Sequence, residues 1–402
     1  MLKNKKLIIT NTIFTSCLCI SCMAAGYVFI KNNSKSMSGK TNVEYRDYDC
    51  LTLKAGYSDH SCIVQDNDGN ELEKHSTYVY SFFMSQPDVY DEYGNHFAKL
   101  KKYYVNMSQD DSGVITYKLS HFKINSTYFV CPYFKDLDGN EVDYAYYGKY
   151  KGCCEYVSEN ATSVLHSKKG LTPTYGKGIS NFRYSAYLNA KTYNYCITDW
   201  CAMFTLRIMF MCYYKTTYTD DSNLGARSSS YPTGSGPKLF GAIEDVYGNG
   251  YEFIDGIQLR ADSNGNVKVY WADTVRQGAY NYASDSGITT NETDISSYVA
   301  GKSGQCVKSM ICVNGSPALN LFPKETFIRL AQTGICYYSD RFDYSSDDNN
   351  TIRAIYYGIS GNYISILEGF FHLSCTMDYE GASDVVGTRL YAKKLNKEYV
   401  AS

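Results

Sequence analysis

The sequence predicts an α+β fold in which helices are confined to the middle of the chain. Two consecutive segments, 178–190 and 198–215, carry the helical signal. Short apolar and aromatic runs separated by turn residues come before and after them, which is typical of short strands. With 402 residues and a net charge of −2, the chain is long enough for two or three domains and shows no sign of a nucleic-acid partner.

The N-terminal segment, residues 1–36, has the pattern of an export signal. Lys3, Lys5 and Lys6 precede 24 uncharged residues, 7–30, which are enough to cross a bilayer as a helix. The pattern predicts a membrane anchor, a cleaved signal peptide or a lipid-modified cysteine, and therefore a secreted or cell-surface protein. Translation from Met37 is the alternative, and it would leave the apolar segment out.

Residues 37–119 are predicted to form a small β-rich domain. Within it, "QDNDGNE" (65–71) and "DEYGNHF" (91–97) have the composition of hairpin turns, because Asp-Gly and Gly-Asn pairs accept the backbone angles that such turns need. The DGNE element returns at 138–141 between alternating segments, which predicts a further hairpin.

The two helical segments differ in their patterns. In 178–190, Ile179, Phe182 and Ala186 fall on one face, and Ser180 is the predicted N-cap. In 198–215 the helix is apolar nearly all round, which predicts a buried helix. At about 16 residues it is too short to span a membrane.

The block "GAIEDVYGNGYEFIDGI" (241–257) resembles the signature of C-type-lectin folds of the formylglycine-generating-enzyme (sulfatase-modifying factor) type. The block 352–394, which opens "IRAIYYGISGN" and closes "GTRLYAKK", resembles the last segment of that family. Blocks upstream, from Phe122 onward, are similar to phage tail and receptor-binding proteins with this domain, some of which are targets of diversity-generating retroelements. The resemblance implies a C-type-lectin-like domain at 120–395, with ligand-binding segment 353–391, after the small β-rich domain.

The resemblance also implies a calcium-like ion at the turn formed by Asp245, Gly248, Gly250 and Glu252. Calcium takes six to eight oxygen ligands, and the carbonyls of a glycine-rich loop can supply them. The alternative is a purely structural turn in which Glu252 satisfies backbone amides. No cofactor is required in either case.

Catalysis is not expected. The enzymes of the family bind copper through two cysteines shortly after a glycine-rich turn, and residues 358–374 contain no cysteine. The six histidines have no metal-ligand spacing. A formylglycine-generating type of oxidase is therefore the disfavoured alternative.

Recognition is the predicted function, because the chain contains 42 tyrosines and segment 353–391 mixes tyrosine, serine and asparagine as binding loops do. In the same segment Ile355, Phe371, Leu373, Val386 and Leu390 alternate as core positions. The predicted partner is a cell-surface protein or glycan, bound by an adhesin or phage receptor-binding protein that forms a homo-oligomer such as a trimer. If translation starts at Met37, the location is a virion. One alternative is that the protein is a structural virion or envelope component. The other is that the tyrosines of this segment are ordinary surface residues with no ligand. The predicted ligand-binding residues are Tyr356, Tyr357, Ser360, Asn362, Tyr363, Ser365, His372, Met377, Asp378 and Tyr379.

Overall fold

The structure is a computed structural model that describes residues 49–156, 163–189, 191–192, 194–219, 231–272, 291–327, 341–348, 351–358 and 369–401. The predicted anchor at 7–30 and the linker after it fall outside these residues. Within the described ranges, the model contains no helix of the length and apolar character that a membrane span needs.

The described chain is rich in strands and has four α-helices. The helices are α1 (Thr77–Phe83), α2 (Ile179–Tyr187), α3 (Trp200–Tyr214) and α4 (Ser296–Val299). The strands are β1 (Cys50–Ala55), β2 (Ile63–Gln65), β3 (Met84–Tyr90), β4 (His96–Lys101), β5 (Tyr104–Gln109), β6 (Ile115–Ser120), β7 (Phe129–Val130), β8 (Tyr144–Gly148), β9 (Cys153–Tyr156), β10 (Ser163–His166), β11 (Tyr195–Ile197), β12 (Lys238–Leu239), β13 (Ile243–Glu244), β14 (Tyr251–Ala261), β15 (Val267–Trp271), β16 (Asn291–Asp294), β17 (Gln305–Met310), β18 (Pro323–Phe327), β19 (Arg341–Tyr344), β20 (Ile352–Tyr357), β21 (Leu373–Asp378), β22 (Val386–Gly387), β23 (Leu390–Ala392) and β24 (Tyr399–Val400).

The strands form three large sheets. Their orders are β2-β1-β6-β5-β7, β11-β23-β8-β4-β3-β24, and β16-β15-β14-β20-β21-β19-β17-β18 with β22 paired to β14. Two small pairs, β9–β10 and β12–β13, complete the described strands. The fold is therefore mixed and sheet-rich with few helices, as the coarse α+β prediction requires.

The two predicted helices are confirmed, and their environments match their sequence patterns. The helix α3 is buried on nearly all sides and packs against α1, β1 and β14. Asp199 caps its N-terminus by accepting a hydrogen bond from the amide of Ala202 at 2.8 Å. The amphipathic helix α2 begins two residues earlier than predicted: its N-cap is Gly178, and the hydroxyl of Ser180 donates instead to Glu380.

Residues 45–402 form one compact unit. The strand β4, from the N-terminal third, pairs with β8, and β8 pairs with β23 from near the C-terminus. One hydrophobic core extends from Leu51 to Tyr391. The predicted boundary between residues 119 and 120 therefore falls inside this unit, because the sheets are built from strands on both sides of it.

Five turns repeat one hydrogen-bond pattern, at residues 66–70, 91–95, 110–114, 136–140 and 262–266. In each, one aspartate oxygen accepts from the amides two and four residues later, at 2.8–3.0 Å. The fourth residue is always a glycine with φ between 75° and 90°, a conformation that other residues seldom adopt. The turns predicted at 65–71, 91–97 and 138–141 are confirmed as members of this group.

The first and last residues of the turn at 91–95, Asp91 and Asn95, are buried, and we expect this aspartate to matter most for stability. Asp91 also accepts hydrogen bonds from the hydroxyl of Tyr195 at 2.7 Å and from the amide side chain of Asn95 at 2.9 Å. Asp91→Ala leaves several buried donors without an acceptor, so it should lower the free energy of unfolding by about 2–4 kcal/mol.

The matched control is Asp66→Ala, in the solvent-facing turn, where water replaces the lost acceptor. Its cost should be about 1 kcal/mol, the usual size of a capping contact. Urea denaturation of both variants measures the difference. Equal losses of unfolding free energy would contradict the view that burial determines how much this turn contributes to stability.

Candidate functional site

The structure places six of the ten predicted ligand-binding residues. Ser360, Asn362, Tyr363 and Ser365 lie outside the described residues. The six that are placed belong to β20, to β21 and to the residues next to β21: Tyr356, Tyr357, His372, Met377, Asp378 and Tyr379.

Two of these tyrosines belong to the interior, which corrects the expectation that they contact a ligand. Tyr357 is fully buried, and its hydroxyl donates to Glu252 Oε2 at 3.1 Å. Tyr379 is also buried, and its hydroxyl accepts a hydrogen bond from Arg183. Both hydroxyls form hydrogen bonds with buried side chains, so these residues can support a binding surface but do not form it.

Four neighbouring strands, β14, β20, β21 and β19, bring other side chains together. The register pairs Phe253 with Tyr356, Tyr356 with Ser374, and Ser374 with Asp343. Alternate residues of a strand share a face. Four further residues, each two positions from Phe253, Ser374 or Asp343, therefore lie on the same side: Tyr251, His372, Thr376 and Arg341. We name the combined surface the strip; its members are Tyr251, Arg341, Asp343, Tyr356, His372, Ser374 and Thr376.

Aromatic rings and hydroxyl groups occupy one side of the strip. The rings of Tyr251 and Tyr356 meet edge to face, with centroids 5.4 Å apart and planes at 72°. The hydroxyl of Tyr356 lies 2.8 Å from that of Thr376, which is 3.2 Å from that of Ser374. Thr376 is exposed and Tyr356 is half-buried, so this chain of hydroxyls reaches the surface.

A charged group forms the other side of the strip. Arg341 Nε donates to Asp343 Oδ2 at 2.6 Å, and His372 Nε2 lies 3.1 Å from the same oxygen. Burial alone would raise the pKa of Asp343, but the hydrogen bond from His372 and the charge of Arg341 hold the pKa below its usual value. His372 is itself buried, so the structure also corrects the expectation that it contacts a ligand, and its ring supports Asp343 from within.

Met377 and Asp378 lie apart from the strip. A register shift between Ala354 and Tyr356 separates them from the hydroxyl chain. Asp378 forms an ion pair with Arg353, which also binds Asp347. Met377 is half-buried and packs against a hydrophobic core that also contains Ala354.

The predicted metal turn contains a buried charge cluster. The carboxylate of Glu252 is fully buried, and its Oε1 lies 2.9 Å from Lys151 Nζ and 3.1 Å from Arg389 Nη2. Burial alone would raise the pKa of Glu252, but Lys151 and Arg389 hold it below its usual value. Burial lowers the pKa of Lys151, and Glu252 opposes that effect.

The carbonyl oxygens of this turn also bind the two side-chain cations. Lys151 Nζ donates to the carbonyl of Gly250 at 2.8 Å, and Arg389 donates to those of Glu244 and Asp245 at 2.7 and 3.1 Å. In the described part of the chain, no group of three His, Cys, Asp or Glu residues has the arrangement of a metal site. The carbonyls of Asp245 and Gly250 and the carboxylate of Glu252, three of the groups offered to calcium in the prediction, therefore already have cationic partners. A calcium ion stays a prediction.

The backbone of the turn explains its glycine-rich sequence. Gly250 has φ +90°, and an added Cβ would lie 2.5 Å from the Tyr175 ring. Asp245 and Asn249 also have positive φ, and the Asn249 side chain donates to Asp245 Oδ2 at 3.2 Å. Gly248 is buried in the same turn. The tight packing requires small residues here whether or not an ion is bound.

A second buried ion pair lies on the strip's side of β14. Arg183 Nε of α2 donates to the two carboxylate oxygens of Asp255 at 2.9 and 2.8 Å. Asp255 lies in a bulge where the β14–β20 register shifts between Ile254 and Leu259. The pair thus ties α2 to the irregular part of β14. Sequence reasoning missed Lys151 and Arg183, because nothing local distinguishes them from surface cations.

The thiol of β21 is unsuited to catalysis. Cys375 is fully buried in β21, and burial raises the pKa of its thiol well above the ordinary value. A reactive cysteine needs an accessible thiolate. The eleven cysteines of the described residues are free, and most are buried.

Comparison with known proteins adds no relatives at this point. Neither a scan against protein-family models nor a search of curated proteins gives a match.

We expect Glu252 to be a major determinant of stability. Glu252→Gln keeps the shape but leaves Lys151 and Arg389 without a counter-charge, so it should lower the free energy of unfolding by about 3–5 kcal/mol. The matched control is Glu398→Gln, which removes a half-exposed partner of Lys99 at 2.8 Å. That change should cost less than about 1 kcal/mol. Chemical denaturation measures both, and similar costs would refute the assignment.

Asp343 should contribute to the acid stability of the protein. Its pKa is lower in the folded state, so its contribution is present above the unfolded pKa, about 3.9, and is lost as the pH falls through the folded value. Asp343→Asn should therefore reduce stability at pH 7 and flatten the pH dependence below about pH 4. Urea midpoints at several pH values test this, and parallel curves for both proteins would contradict it.

Proposed function

We propose that the protein is a non-catalytic binding protein that engages a cell-surface protein or glycan through the strip. The observation that carries the proposal is the continuity of the strip: rings, hydroxyls and charges from four strands form one surface. Display on a cell surface, through residues 7–30, or on a virion, if translation starts at Met37, belongs to the same proposal.

The chemistry of the strip suits reversible recognition. Tyrosine supplies a large contact area at low entropic cost, and hydroxyl groups both donate and accept hydrogen bonds. Tyr251, Tyr356, Ser374 and Thr376 provide this combination on adjacent strands. Such a surface can gain affinity without any covalent step.

The support beneath the strip favours a rigid site. On β20, Tyr356 faces the strip while the next residue, Tyr357, donates to Glu252 in the core. On β14, the Arg183–Asp255 pair fixes the bulge that follows Tyr251 and Phe253. A binding surface that is held in place before the ligand arrives loses less entropy on binding.

The fold-level part of the proposal is a C-type-lectin-like domain. The block with the family's signature forms the turn around Glu252 and the start of β14, and the last block forms β20 to β23. These two blocks lie together in the structure, joined by the β14–β20 and β14–β22 pairs. That adjacency supports the proposal, as does the structural importance of Glu252.

The test is binding of the labelled full-length chain to arrays of cell-surface proteins and glycans and to whole cells. Tyr356→Ala should weaken binding at least about tenfold, the size of a central interface tyrosine. Tyr144→Ala, at an exposed tyrosine of the six-stranded sheet, should leave binding unchanged. Absence of binding in every format, or equal binding by wild type and Tyr356→Ala, would overturn the proposal.

A further inference from the structure

We infer that the ligand of the strip is an uncharged sugar. This inference rests on the proposed function and narrows it, because that function leaves proteins and glycans equally open. Three properties of the strip point to a neutral sugar: the arrangement of its rings, the chain of hydroxyls, and the internal balance of its charges.

The first property is the pair of rings. Tyr251 and Tyr356 are half-buried, pack against a hydrophobic core and meet at 72°, so the pair is angled rather than stacked. The face of an aromatic ring carries partial negative charge and attracts weakly positive C–H groups. One side of a pyranose ring presents several such C–H groups, and its size matches one tyrosine ring.

The second property is the hydroxyl chain. Tyr356, Thr376 and Ser374 bond to one another through groups that each donate and accept. A sugar hydroxyl has the same capacity, so it can enter this chain and leave no buried group unpaired. An apolar side chain of a protein partner would remove water from the exposed Thr376 without replacing its hydrogen bonds.

The third property is the balance of charge. Within the strip, Arg341 and Asp343 pair with each other, and His372 contacts the same carboxylate. An anionic sugar would compete with Asp343 for Arg341 and would come close to that carboxylate. A neutral sugar can accept from the guanidinium or donate to the carboxylate and leave the pair intact.

A protein partner fits these residues less well. Protein interfaces bury about 800 Å² on each side and have an apolar centre. Among the described members of the strip, the two half-buried tyrosine rings supply the apolar contact area, and the other five members are polar. The polar character of the strip therefore matches a sugar more closely than it matches the apolar centre of a protein interface.

The experiment uses the full-length chain on a glycan array that holds neutral, sialylated and sulfated glycans, with a cell-surface protein array in parallel. Titration calorimetry with the methyl glycosides of glucose, galactose, mannose, fucose and N-acetylglucosamine follows. We expect neutral glycans to bind. Tyr356→Phe should weaken binding about three- to tenfold, the size of one hydrogen bond, and Tyr251→Ala about tenfold through loss of the ring.

The matched control is Tyr146→Phe. Its hydroxyl donates to Glu398 at 2.7 Å on a different sheet, so the same atom is removed away from the strip. This variant should bind like the wild type. Thermal unfolding of each variant separates a loss of binding from a loss of fold.

The outcomes distinguish this inference from the proposed function. Binding only to sialylated or sulfated glycans overturns the inference, as does neutral-glycan binding that Tyr356→Phe and Tyr251→Ala leave unchanged. If the chain binds only proteins and the strip variants weaken that binding, the inference of a sugar ligand is overturned but the proposed function is upheld. Binding to no array and to no cell overturns both.

Discussion

The buried carboxylate of Glu252 is the interaction on which the centre of the protein depends. Removing a charge from water costs several kcal/mol, and the cost is met only when partners surround the charge. Here the partners are Lys151, Thr198, Tyr357 and Arg389, which lie in four different parts of the chain. A displacement of any one of these segments leaves the charge incompletely compensated, so the cluster fixes their relative positions.

The position of the strip depends on the buried cluster around Glu252. In a strand, neighbouring residues point to opposite faces, so β20 sends Tyr357 to Glu252 and Tyr356 to the strip. The hydrogen bond from Tyr357 to Glu252 therefore also fixes the position of the neighbouring Tyr356 ring. A surface with this construction can tolerate changes in its outward side chains, because the groups that hold the strands in place lie on the other face.

Local features of the fold were predictable from sequence, and long-range ones were not. The buried helix α3 and the aspartate–glycine turns follow from patterns within about 15 residues, and Ile355, Phe371 and Leu373 occupy the core positions that their alternation predicts. The partners of Glu252 could not be found this way, since Arg389 lies 137 residues away. The burial of Tyr357 follows from the same alternation, two positions after Ile355, and was missed because composition assigned this tyrosine to a binding surface. The burial of Tyr379 depends on its contact with Arg183, 196 residues away, which no local pattern reveals.

The short segment around β23 has a consequence for the order in which the protein forms. Arg389 reaches Glu252, Tyr391 donates to Asp199 at 2.5 Å, and Lys393 donates to the carbonyl of Tyr133 at 3.1 Å. During synthesis, these partners emerge from the ribosome long before residues 389–393 do. Until residues 389–393 are added, the Glu252 carboxylate lacks one of its two cationic partners, and β11 and β8 lack the strand that lies between them. The core is therefore closed by contacts between segments that lie far apart in the sequence, a topology that is typical of slow folding.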